Sequence, residues 1–229
     1  MKPEQVVRVS CIIPAYNEGA RIGAVLRAVS DHPLVDEVLV IDDCSQDDTA
    51  SVAESFAGVT LIRQAQNGGK TRALLRGFDA MDGTHALLLD ADLIGLTPDD
   101  VSALITPVLR REAGVTISLR GNAPGLWRAI GLDYISGERV LARDLLPSPD
   151  DLARLPAFGF EVFLNEKIVA RNIPIRVVPW PGVRSPAKEA KHGLWSGLKA
   201  DIGMMRDIFR TVPVHRLIRQ ILAMRRLRS

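Results

Sequence analysis

Asp90 and Asp92 close the segment Leu87-Leu88-Leu89-Asp90-Ala91-Asp92, in which the leucines of an apolar strand run out into paired acids. Carboxylates two residues apart repel each other, and each is costly at the end of a buried run. Such a pair can cap a helix or sit in solvent. What makes it welcome beside a buried strand is a divalent cation that takes oxygen ligands, Mg2+ or Mn2+. A second pair, Asp42-Asp43, ends the run Val38-Leu39-Val40-Ile41, and Tyr16-Asn17-Glu18 follows Ile12-Ile13-Pro14-Ala15. Lys70 follows the tight turn Asn67-Gly68-Gly69. It is either a surface lysine or a point charge that the glycines let approach an anion closely. Glu161, after Gly159-Phe160, opens an apolar helix. Burial there would raise its pKa and suit a general base, unless it is a solvated helix residue. The spacing around Lys70 is not that of a Walker loop. No Gly-x-Gly-x-x-Gly follows the first strand, which speaks against a dinucleotide-binding dehydrogenase.

These residues need elements to bring them together. Val9–Pro14 reads as a central strand, and Ile22, Val25, Leu26 and Val29 recur at helical spacing up to about Ser30. Glu37–Ile41 is a second strand, and Ser45-Gln46-Asp47-Asp48 has the capping-box spacing that opens a helix. Strand 59–62, helix 70–80, strand 84–89, helix 98–111 and strand 115–119 follow, with Thr97 as the cap and Pro98 first in its helix. Strand and helix alternate with short connections, which predicts an α/β fold with a parallel sheet and helices on both faces. Ligands of such sheets bind at the carboxyl ends of the strands, where Tyr16–Glu18, Asp42–Asp43 and Asp90–Asp92 all fall. Beyond residue 120 the alternation stops. The expectation is an irregular stretch to Gly131, a strand at 134–136, a helix opening at Gly137, a helix 159–171, a strand 175–180, a basic loop 181–193 and helices 194–211 and 214–228.

The chain has 229 residues, 47% of them apolar, enough for one large domain, or for one domain with a helical appendage. Residues 1–183 hold 18 Lys+Arg against 24 Asp+Glu, whereas 184–229 hold 11 against 3. An acidic body thus carries a basic tail, which points to an anionic partner. In 214–228, Leu217, Ile218, Ile221 and Leu222 alternate with Arg216, Arg219 and Arg226 in the manner of a helix lying on an anionic membrane surface. The aromatic-poor sequence speaks against nucleic acid. Two cysteines make no disulfide framework, and no apolar stretch is long enough to span a bilayer. Cytoplasmic placement is expected, either free or peripheral on the inner face of the membrane.

Four segments, VSCIIPAYNEGARI, EVLVIDDCSQDDT, RQAQNGGKTRAL and LLLDADL, stand in the order and spacing of family 2 nucleotide-sugar glycosyltransferases. The chain resembles that family over roughly residues 8–120. ISGERVL, FGFEV and GVRSPAKEAKHG look like the acceptor half of small bacterial members related to polyprenyl-phosphate sugar synthases. The resemblance implies a GT-A fold, with a Rossmann-like, mostly parallel sheet flanked by helices. It implies a donor half at 1–120, an acceptor half at 121–193 and basic helices at 194–229. It also implies Mg2+- or Mn2+-dependent transfer of a sugar, with inversion, from a nucleotide diphosphate donor, a UDP-sugar foremost, to a hydroxyl or a lipid phosphate.

Carried over residue by residue, the resemblance makes Pro14, Ala15 and Tyr16 the wall of a base pocket, with Glu18 on the ribose. It puts Asp42 or Asp43 on the base or ribose, with Asp42 favoured as the ligand and Asp43 as a helix cap, and Gly69 and Lys70 beside the nucleotide. Asp92 becomes the catalytic metal ligand. Asp90 is a second ligand, or holds a ribose hydroxyl or a metal-bound water. His192 would add a late metal ligand in a loop that closes with Arg184, Lys188 and Lys191. Glu161, ahead of Glu138, would be the base for a hydroxyl acceptor, whereas a phosphate acceptor needs none. Two positions depart from the pattern. Cys44 stands where the family often has Gly, and Leu93-Ile94 stands where polyprenyl-phosphate synthases usually have Leu-Gln. Two rivals remain: a sugar nucleotidyltransferase, though Pro-Ala-Tyr-Asn-Glu replaces its Gly-rich loop, and an idle domain of this fold serving as a membrane adaptor.

Overall fold

The computed structural model describes residues 6–148, 151, 159–186 and 214–229. The chain runs β1 (Val9–Ala15), α1 (Gly19–Val29), β2 (Glu37–Asp42), α2 (Thr49–Glu54), β3 (Val59–Arg63), α3 (Lys70–Ala80), β4 (His85–Leu88), α4 (Pro98–Leu109) and β5 (Val115–Arg120). It continues with α5 (Gly125–Ile130), β6 (Arg139–Ala142), a 3-10 turn (Arg143–Leu145), α6 (Gly159–Ala170), β7 (Ile175–Trp180) and α7 (Val214–Arg226). The seven strands form one sheet in the order β3-β2-β1-β4-β6-β5-β7, parallel except for β6. This is the α/β architecture that the sequence implied.

Central strands covered on both faces read as continuous apolar runs, and their period-2 alternation sorts the core into two layers. Ile12, Leu39, Ile41 and Leu88 pack with Ala73, Leu74 and Phe78 of α3, Leu164 and Ile168 of α6, and Leu217 and Met224 of α7. Cys11, Ile13, Val38, Val40 and Leu87 pack on the other face with Ile22, Val25 and Leu26 of α1 and Leu104 and Ile105 of α4. The Thr97 hydroxyl accepts from the Asp100 N–H and the Asp100 carboxylate from the Thr97 N–H, so the cap of α4 forms as expected.

Four expectations beyond residue 120 are corrected. Residues 125–130, read as irregular, form the short helix α5. Residues 134–136 form a turn, and the helix expected to open at Gly137 is instead the antiparallel strand β6. The expected apolar face of α7 is divided: Leu217 is buried and Ile221 packs on the core, whereas Ile218 and Leu222 are exposed. The helix expected at 194–211 lies outside the described residues.

Candidate active site

The loop after β1 and the loop after β2 are locked together by their own polar residues. Asn17, in the left-handed region at φ 55°, donates its N–H to the Ser45 hydroxyl (2.9 Å) and accepts from the Gln46 N–H (2.8 Å). The Glu18 N–H donates to the Thr49 hydroxyl (2.8 Å) and the Gly19 N–H to the Asp47 carboxylate (3.0 Å). Ser45 therefore fastens the loops rather than capping α2, whose N-cap is Asp48 without a side-chain bond. The arrangement leaves Tyr16 exposed beside the end of β1.

The two acids of β2 lie in different surroundings. Asp42 is fully buried and faces β3, where its register partner Arg63 donates to it at 3.2 Å; it also accepts from the Ser45 N–H at 3.0 Å. Asp42 does not line the cleft. Asp43 lines it, accepting from the Gln64 amide (2.7 Å) and from the backbone N–H groups of Gly68 (2.8 Å) and Gly69 (2.7 Å). Its carboxylate therefore takes the N–H groups at the start of α3, which a phosphate would otherwise use. Gly69 serves the site through this bond, at φ 82°, and does not line the cleft itself. Cys44 sits at φ 65°, so the position that departs from the family's glycine does need a left-handed backbone.

At the end of β4, Asp90 accepts from the Lys70 ammonium at 2.5 Å. Burial pushes the Asp90 carboxyl up, but the Lys70 charge and hydrogen bond, helped by Arg120, prevail and hold it low. Lys70 is pushed down by burial and up by Asp90, Glu161 and Glu138, and its net shift is upward. Gly137 makes room for this pair, since a Cβ there would lie 2.7 Å from the lysine nitrogen. Asp92 has no such cation. Burial first, then the charges of Asp90 and Glu18, push it up to about 6. An acid crowded by other acids at an open cleft is a group that a cation would relieve.

Pro14, Ala15, Tyr16, Glu18, Asp43, Lys70, Ala73, Asp90, Ala91 and Asp92 line a cleft of about 250 Å³. Among the described residues no cluster of three or more His, Cys, Asp or Glu side chains could hold a metal alone. That fits Mg2+ or Mn2+ at a phosphate site, where one or two carboxylates suffice and phosphate and water oxygens complete the shell. His192, Lys188 and Lys191 lie outside the described residues. Arg184 is described: its backbone pairs with that of Ile94, two residues beyond Asp92. Phe160 stacks on Phe78 of α3 at 5.8 Å, which sets the first turn of α6 beside α3. The next residue, Glu161, is buried, near enough for its charge to act on Lys70, but it does not line the cleft.

Behind the cleft lies a mostly buried cluster whose charges reach Asp90. Glu138 accepts from Ser118 (3.0 Å) and Ser136 (2.6 Å) and pairs with Arg120 at 3.3 Å, while Arg120 faces Asp133 at 3.7 Å. Arg139 donates to the Ser136 and Tyr134 carbonyls and to Asn165. Ala73, Ala91 and Gly137 are site residues beyond those expected. Ala73 was within reach of sequence reasoning, because three residues along a helix it shares a face with Lys70. Gly137 was not, because its contact spans 67 positions of chain.

The model of the family described as glycosyl transferase family 2 matches residues 10–156. A dolichyl-phosphate beta-glucosyltransferase of Dictyostelium discoideum is 31% identical over 182 residues, 71% of this chain and 50% of that protein. A dodecaprenyl-phosphate galacturonate synthase of Rhizobium johnstonii is 26% identical over 129 residues, 52% of this chain and 38% of that protein. The aligned chain thus spans half or less of these relatives' length. Among solved structures, the glucosyl-3-phosphoglycerate synthase of Mycobacterium tuberculosis with Mg2+ and uridine diphosphate superposes with a TM-score of 0.65 at 28% identity, over 78% of this chain and 71% of that one. The same synthase with Mn2+, UDP-glucose and phosphoglyceric acid gives 0.64 at 26% identity, with the same coverage.

Proposed function

From the premise that the chain belongs to glycosyl transferase family 2, we propose that it moves a sugar from a nucleotide diphosphate donor, foremost a UDP-sugar, to an acceptor hydroxyl or lipid phosphate. The observation that carries this reading is the excess of acid on one cleft: Glu18, Asp43, Asp90 and Asp92 against Lys70, at the ends of three adjacent strands. The solved neighbour bound to UDP and a divalent cation supports the donor and the cofactor. The two relatives named for polyprenyl-type phosphates support a lipid-phosphate acceptor.

A bound Mg2+ or Mn2+ would supply charge neutralisation for the departing diphosphate. Asp92 is the ligand, and Asp90, held ionised by Lys70, is the second acid beside it. The backbone of Pro14 and Ala15 and the Tyr16 ring form the base wall, Glu18 takes the ribose, and Asp43 rather than Asp42 faces the nucleoside. The acceptor oxygen bonds to the anomeric carbon as the bond from that carbon to the diphosphate oxygen breaks on the opposite face, inverting the centre. A hydroxyl acceptor gives its proton to Glu161; a phosphate acceptor has none to give. Glu138 is less suited, because its partners already enclose it. The acceptor binds in 121–193.

The test is nucleotide release. The full chain, UDP-sugars, Mn2+ and either a polyprenyl phosphate or a small hydroxyl acceptor should give free UDP and glycosylated product, both abolished by EDTA. Pyrophosphate release from a nucleoside triphosphate and a sugar phosphate would replace this reading with a nucleotidyltransferase. Donor binding without turnover across UDP- and GDP-sugars would leave an adaptor.

A further inference from the structure

We propose that the outward face of α7 is a docking surface for an anionic lipid bilayer. Leu217, Gln220 and Met224 of this helix are buried, and Gln220 reaches the Tyr134 hydroxyl. The opposite side carries Ile218 and Leu222, 52% and 50% exposed and one turn apart. His215, Arg219, Arg225 and Arg226 surround them and are themselves exposed. A helix that presents apolar side chains on the face away from its core is not explained by its own packing.

Charge selects the occupant. Residues 214–229 hold five arginines and no Asp or Glu. Arg216 pairs with Glu166 of α6 at 3.4 Å, while Arg219, Arg225 and Arg226 have no ion-pair partner among the described residues. Two aliphatic side chains inserted between headgroups, with arginines reaching along them to lipid phosphates, is the arrangement of a helix lying in the interface plane. Two exposed apolar residues on a single helix are too few for the core of a stable protein interface. The face offers no aromatic ring on which a nucleic-acid base could stack. Among the described residues no helix is long and apolar enough to cross a membrane, so this contact would be peripheral.

The surface is independent of donor, cation and catalysis, so its test does not depend on the transferase reading. The full chain is sedimented with vesicles of phosphatidylcholine alone and of phosphatidylcholine with phosphatidylglycerol, at low and high salt. Binding is expected only to the anionic vesicles and should weaken as salt rises. Arg219→Gln, Arg225→Gln and Arg226→Gln together should weaken it about a hundredfold, roughly fivefold for each arginine. Ile218→Ser with Leu222→Ser should reduce it about as strongly while leaving the melting temperature and UDP binding unchanged, because both side chains already face solvent. Failure of the wild type to bind anionic vesicles overturns the proposal, as does binding that survives both sets of substitutions. A dimer in sedimentation velocity that the Ile218/Leu222 variant dissolves would overturn it in favour of a second copy on this face.

Discussion

The acid cleft and the mostly buried cluster behind it are built from the same residue types and differ in how charge is balanced. In the cluster, Asp133 and Glu138 meet Arg120, and Arg139 spends its hydrogen bonds on carbonyls and Asn165. In the cleft, four acids face Lys70, which Asp90 already holds. Asp133 and Asp92 are both pushed up to about 6, chiefly by burial. At Asp133 Arg120 opposes the shift more than Glu138 adds to it, whereas at Asp92 Asp90 and Glu18 each add more than Lys70 takes away. The size of a shift therefore does not separate a structural acid from a ligand-ready one. Accessible imbalance does: solvent can deliver a cation to Asp92, whereas the countercharge of Asp133 is built in.

The largest expected effect falls on the cleft. Asp92→Ala should lower transfer by about a thousandfold or more, read as product formed per unit time, with an unchanged circular dichroism spectrum. Transfer at the wild-type rate would erase the distinction between the two regions. The cluster should respond in stability instead. Arg120→Met leaves Asp133 and Glu138 buried without their cation and should cost about 3 kcal/mol, measured by urea unfolding. A loss below about 1 kcal/mol would mean that water, not the arginine, balances the cluster.

The third effect is on pH. Asp92 must be ionised to hold a cation, and in the metal-free protein it titrates near 6. Mn2+ affinity, followed by calorimetry, should be level above neutral pH and fall about tenfold per unit as pH drops below 6. The smallest effect concerns the turn beside the cleft. Cys44→Gly relieves a left-handed backbone of roughly 1 kcal/mol, partly offset by glycine's freedom in the unfolded chain, so the melting temperature should rise by about 2 °C. A fall would show that the Cys44 side chain stabilises the turn more than its backbone strains it.

The donor half was legible because its signals are local. Apolar runs bounded by turns gave β1 to β4, helical spacing gave α1, and a polar group after each of three runs gave the cleft. Legibility failed where neighbours in sequence part company in space. Asp42 and Asp43 point to opposite sides, and the cross-strand Arg63 takes the one that had been assigned to the nucleotide. Beyond residue 120, the six residues of α5 are too few to show a helical period, and Gly125 and Gly131 at either end look like loop. Strand β6 begins with Arg139, a fully buried arginine whose partners are carbonyls and Asn165, so its burial leaves no apolar mark in the sequence.

The most direct measurement is anomalous diffraction at the manganese edge from crystals grown with UDP and Mn2+. The account expects one strong peak in the cleft, about 2.0–2.3 Å from an Asp92 carboxylate oxygen and bridged to the diphosphate. UDP bound in the cleft with no peak beside Asp92, or manganese found elsewhere, would contradict it.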